Sequence, residues 1–133
     1  LEEIINNLKT MRIIKFRGKS LINNSWIDGS LALEGENAYI SYGTVDFSEV
    51  APTTVEQFTG LLDKAGKEIY EGDIIECNGD ICKVVYSAHY AGFALDKKGW
   101  AYLHFFGEAF SNYDCLVIGN IHDNIELLKG GEL

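Results

Sequence analysis

Three histidines, His89, His104 and His122, and three cysteines, Cys77, Cys82 and Cys115, are the side chains of this sequence best suited to hold a metal. Their spacing does not support one. There is no Cys-x-x-Cys and no histidine pair at helical ligand spacing. Cys77 and Cys82 flank a turn and approach only as diagonal neighbours on paired strands. An odd cysteine count also argues against a secreted disulfide framework, so the thiols are expected reduced, in a cytoplasm. Gly60, Gly66 and Gly72 sit at turn positions and form no phosphate-cradling loop. No Ser-His-Asp arrangement has sequence support. The expectation is no metal, no cofactor, no catalytic residue and no enzymatic activity.

Four other groups of residues are candidates for binding. Glu71 and Asp73 flank Gly72. They read either as an acidic ligand pair or as turn acids, with the Asp73 carboxylate accepting backbone N–H groups. Lys9, Arg12, Lys15, Arg17 and Lys19 form a basic strip, and no base follows from Ser20 to Leu62 while acids accumulate. That strip either pairs internally with the acidic segment or forms a basic edge, Arg12, Lys15, Arg17 and Lys19, that binds an anion. Gln57 and Thr59 flank Phe58 and are candidates for receiving an extended peptide as an added strand. Aromatic residues crowd the C-terminal half, and Phe110 and Tyr113 lie in its longest expected loop, Gly107 to Asp114. Exposed aromatics at a loop favour a protein interface or self-association.

The elements that must position these residues are mostly strands. From Ile13 to Phe47, short apolar runs are broken by turn clusters at Asn23-Asn24-Ser25 and Glu34-Gly35-Glu36-Asn37. Asn78-Gly79 is the strongest hairpin signal. A two-residue loop there sets Cys77 opposite Asp80, Glu76 opposite Ile81 and Ile75 opposite Cys82, placing Ile75, Cys77, Cys82, Val84 and Tyr86 on one apolar face. Phe93 to Leu95 and Trp100 to Leu103 read as a further hairpin around Asp96-Lys97-Lys98-Gly99. Cys115 to Ile121 reads as a buried strand, and Asp123 with Glu126 as the capping box of one terminal helical turn. Pro52, the only proline, sits in what reads as an extended seam near 48–56.

The chain of 133 residues suits one domain, and its formal charge of −9 disfavours nucleic acid. No apolar run is long enough to span a membrane. The fold expected is mainly β: a small bent antiparallel sheet or SH3-like barrel in the C-terminal half, an N-terminal β extension, and short terminal helices. The expected organisation is a helical appendage over 1–10, one domain over 11–128, and a tail over 129–133.

Three blocks resemble the YopX family of phage and prophage proteins: Lys15 to Lys19 with Trp26 to Leu31, Thr54 to Ile75, and Val117 to Leu128. Family members usually carry glycine where Glu56 stands and proline where Ile125 stands. The resemblance implies a largely β accessory protein in the cytoplasm of a bacterial host, and it implies no reaction. The function expected is a non-enzymatic module that binds a protein partner or itself, with nucleic-acid binding by the Lys9–Lys19 basic strip together with Phe16 and Trp26 as the alternative.

Overall fold

The computed structural model describes residues 1–3, 11–43, 45–107 and 110–129. Most of the expected 1–10 helix and the tail beyond Lys129 lie outside the described residues.

Two antiparallel sheets make up the fold. The strands are β1 (Phe16–Lys19), β2 (Trp26–Glu34), β3 (Asn37–Ser41), β4 (Phe47–Val50), β5 (Glu56–Leu62), β6 (Glu68–Tyr70), β7 (Asp73–Cys77), β8 (Asp80–Ser87), β9 (Gly92–Asp96), β10 (His104–Phe105) and β11 (Cys115–Asn120), followed by helix α1 (Glu126–Lys129). The first sheet runs β4-β3-β2-β1-β5-β6 and the second β10-β9-β8-β7-β11. The first curls on itself: Ser20 bridges Val50, and the Ala51 N–H donates to the Lys19 carbonyl at 2.8 Å. The second stays open, with β10 and β11 at its edges, so the C-terminal half is a bent sheet and not a closed SH3-like barrel.

Turn chemistry fixed the central hairpin as expected. Asn78 and Gly79 both take positive φ, 52° and 92°, and β7 pairs with β8 in the register Cys77 with Asp80, Glu76 with Ile81 and Ile75 with Cys82. Ile75, Cys77, Cys82 and Val84 are buried, and Ile69, Leu95 and Cys115 complete that core. Tyr86, at the end of the same face, is exposed. Each large aliphatic side chain buried there contributes about 1.5–3 kcal/mol. The first sheet has a smaller core of Ile27, Ala38, Ile40 and Val50.

Several expectations are corrected. Cys77 and Cys115 are opposite one another on β7 and β11 with Cα atoms 4.3 Å apart, the close spacing of a non-hydrogen-bonded pair, and they form a disulfide. Only Cys82 is free, and it is buried, with its thiol pushed up to about 11 chiefly by that burial. The odd count concealed the pair because the strand that brings Cys115 across is distant in sequence. Residues 48–56 are no seam between halves: Pro52–Thr54 is a 3-10 turn, and β4 and β5 on either side belong to one sheet. The chain crosses between sheets at Glu71 and Gly72. Trp100 to Leu103 is not a strand. The Trp100 N–H closes a turn on the Lys97 carbonyl, and pairing with β9 resumes at His104.

Candidate functional site

The sequence places Arg17 on β1 in the middle of the first sheet, between β2 and β5. From there its guanidinium reaches across to the second sheet. Nη2 and Nε both donate to Glu56 Oε1, at 2.9 and 3.0 Å, and Nη1 meets Asp73 Oδ1 at 2.8 Å. The Arg17 carbon lies 4.7 Å from the Trp26 ring centre and 4.9 Å from that of Tyr70, so the planar cation is sandwiched between aromatics. His122, just beyond β11, brings Nε2 to 3.2 Å from Glu56 Oε2. Its ring packs against Trp26 at 5.7 Å. The cluster therefore takes Arg17 and Glu56 from one sheet and Asp73 and His122 from the other.

Local backbone explains why these groups can meet. Gly72 has a φ of +85°, and a Cβ there would stand 1.6 Å from Glu56 Oε2. Glycine thus supplies both the turn and the space for the carboxylate. Asp73 is a turn acid as expected, its Oδ2 accepting the Tyr70 N–H at 2.7 Å. Burial pushes the Glu56 and Asp73 carboxyls up, against the opposing pull of Arg17. No buried side-chain polar atom among the described residues lacks a partner. A cluster this fully satisfied acts as a clamp between sheets. Beside it lies a cleft of about 490 Å3, whose walls include Trp26, Asp28, Lys67 and Asn120.

The rest of the basic strip is engaged likewise. Lys15 meets Glu68 at 2.6 Å and Asp28 at 3.3 Å. Lys19 pairs with Asp123, whose other oxygen accepts the Trp26 indole N–H at 2.7 Å. The Lys19 bond, then the Trp26 bond, hold the Asp123 carboxyl down at about 2. Asp123 is therefore a tether to the first sheet, and helix α1 begins later, at Glu126. Of Arg12, Lys15, Arg17 and Lys19, the last three serve internal pairing, Arg17 and Lys19 from central strand β1 and Lys15 from the residue before it; Arg12 is exposed. The internal reading is the one the geometry favours.

The Gln57-Phe58-Thr59 groove does not form. β5 is flanked by β1 and β6, so both its edges are occupied and no added strand can pair there. Phe58 is buried against Tyr70 at 5.5 Å, and the Thr59 hydroxyl donates to the Ile69 carbonyl. Phe110 is half-buried and stacks on Trp100 at 5.7 Å, so it belongs to the core margin. Tyr113 is exposed, as expected of the loop. The larger aromatic surface lies elsewhere. Tyr90, Ala101, Tyr102, Leu103 and Phe105 line a shallow, uncharged concavity of about 660 Å3 beside edge strand β10. Tyr90 packs edge-on against Phe105 at 5.4 Å, while Tyr102 is 81% exposed.

Glu56, His122 and Asp123 were missed as members of a site with Arg17. Their sequence signal was slight: a lone acid entering a strand, and a His-Asp pair after another.

No curated protein matches the chain. A solved structure, that of protein EF1440 from Enterococcus faecalis, is similar at 23% identity, with a TM-score of 0.49, covering 89% of this chain and 99% of that one. The family described as YopX protein matches residues 9–129, nearly the whole sequence, and the chain belongs to the YopX family.

Proposed function

We propose that the domain is a non-enzymatic interaction module that takes a protein partner on the concavity beside β10. The observation that carries this reading is the uncharged aromatic lining, Tyr90, Tyr102 and Phe105, next to an edge strand that pairs, among the described residues, with β9 alone. Tyrosine is enriched at protein interfaces because it offers a large rigid surface with a polar tip. A partner strand can also add to β10 while its side chains meet the tyrosines. The setting that accompanies this reading is a phage or prophage protein in a bacterial cytoplasm. The nucleic-acid alternative is weaker, because Lys15, Arg17 and Lys19 are paired and the chain carries a charge of −9.

Affinity capture from prophage-bearing bacteria, read by mass spectrometry, tests this. Wild type should retain one partner that the Tyr90→Ala/Tyr102→Ala variant binds roughly 30-fold more weakly, the effect of a hot-spot anchor worth ~2 kcal/mol. Equal capture by both proteins, or salt-dependent binding of DNA or RNA at micromolar protein, would overturn the reading.

A further inference from the structure

A second cleft, which shares no lining residue with the aromatic concavity, lies between α1 and the β8–β9 hairpin. Its volume is about 530 Å3, in the range that takes a side-chain cluster or small ligand. Ile81 and Leu128 give it an apolar floor, and Lys83, Lys97 and Lys98 surround it, with Asp96 between. Lys97 is held by Asp80 at 2.8 Å. Lys83 makes no ion pair among the described residues. Such a concentration of lysine is unusual in a chain with 20 acids against 11 bases.

The chain also carries a surface of the complementary kind. Val45-Asp46-Phe47-Ser48-Glu49 leads into and forms edge strand β4. Val45 is 83% and Phe47 51% exposed. Asp46 and Glu49 are exposed too, and neither has an ion-pair partner among the described residues. Spacing matches as well as charge. Phe47 and Glu49 are two residues apart on one face of β4, and Ile81 and Lys83 are two apart on one face of β8. Both pairs therefore span about 7 Å, apolar residue first and charge second.

We infer that Phe47 and Glu49 of one copy seat on Ile81 and Lys83 of another, joining molecules of this chain head to tail. The two surfaces belong to different sheets, so the contact is heterologous. Each copy keeps one surface of each kind open, and association continues into rings or open chains. The contact uses neither Tyr90 nor Tyr102, so it stands apart from the proposed partner face.

Sedimentation velocity on the full chain over a range of concentrations tests the inference. The weight-average mass of wild type should rise with concentration. A segment variant, Phe47→Ser/Glu49→Gln, and a cleft variant, Lys83→Glu, should each remain monomeric with unchanged thermal melting. Mixed in equal amounts they should form a species of twice the monomer mass and nothing larger, because one intact segment then meets one intact cleft. Wild type that stays monomeric at millimolar concentration would overturn the inference. So would variants that associate like wild type, or folded variants whose mixture stays monomeric.

Discussion

The two sheets meet through a charged junction and through Ile69, which β6 adds to the second sheet's core, whereas the rest of the second sheet is held within itself by apolar packing and a disulfide. That core, Ile69 from β6 with Ile75, Cys77, Cys82, Val84, Leu95 and Cys115 from the second sheet, contains no ionisable group apart from the Cys82 thiol. The inter-sheet junction has two buried carboxylates against one guanidinium and one imidazole. These arrangements fail differently. Apolar packing loses energy in proportion to what is removed. An ion cluster, relieved of one member, leaves the others buried without a partner. The junction should therefore be the more brittle of the two, though a well-packed apolar replacement of the whole cluster would stabilise as much.

The largest effect expected follows from that contrast. Arg17→Met leaves the buried Glu56 only His122 and the buried Asp73 only the Tyr70 N–H among the partners described above, and it should cost about 3–5 kcal/mol in urea unfolding at neutral pH. Arg17→Lys should recover little, since lysine offers neither the forked donors nor the stacking plane between Trp26 and Tyr70. Adding Glu56→Gln and Asp73→Asn to Arg17→Met should return most of the loss. If Arg17→Met unfolds with the midpoint and slope of wild type, the cluster is no clamp.

An intermediate effect is expected in the second sheet. The Cys77–Cys115 bond closes a loop of sequence separation 38, and removing such a cross-link typically costs about 2–4 kcal/mol. Reduction, or Cys115→Ser, should lower stability by that amount and leave the junction intact. Disulfides are rare in reducing compartments. Thiol counting on protein isolated from bacteria decides which form exists there. One reactive thiol after unfolding indicates the bonded form, and three indicate the reduced one.

Much of the second sheet was legible because its signals are local. Asn78-Gly79 dictates a left-handed turn, and the turn dictates the register of every residue from Ile74 to Lys83. In the first sheet the turn from β5 to β6 is built just as locally, with the Asp63 carboxylate accepting the Ala65 and Lys67 N–H groups at 2.8 Å. Charge segregation left internal pairing of the basic strip as one of two readings, and it pointed to Asp28 and Glu56 but not to Glu68, Asp73 and Asp123, which lie beyond the acidic segment. The site was not legible, because its members stand far apart: Arg17 and Glu56 are separated by 39 residues, Glu56 and His122 by 66. Asp123 shows why local rules mislead there. It has the sequence of a helix cap, but Lys19 and Trp26 claim its carboxylate through a contact no local pattern encodes. Gln57 and Thr59 misled in the same way, since only the sheet order reveals that β5 has no free edge.

The smallest effect concerns pH and separates the junction's buried acids from its peripheral ones. Burial raises Glu56 and Asp73 in the folded state, so their contribution to stability is fully present below their unfolded values and is lost as pH rises through the folded ones. Asp123 runs the other way. Its carboxyl is held at about 2 by Lys19 and Trp26, so its contribution is present above an unfolded value of about 4 and is lost as pH falls from 4 toward 2. Asp63 falls in the same direction: burial opposes the shift, but the Val117, Lys67 and Ala65 N–H groups outweigh it. Asp123 is partly exposed, so its pair is screened by solvent and Asp123→Asn should cost only about 0.5–1 kcal/mol at neutral pH. The variant's stability should nonetheless fall less steeply than wild type's between pH 4 and pH 2, because the group that titrates there is gone. Glu56→Gln should instead flatten the curve above pH 4.5 and leave the acid limb alone. Parallel curves for wild type and Asp123→Asn across the acid limb would show that Lys19 and Trp26 do not hold this carboxylate in solution, and that the peripheral tether between the sheets is absent there.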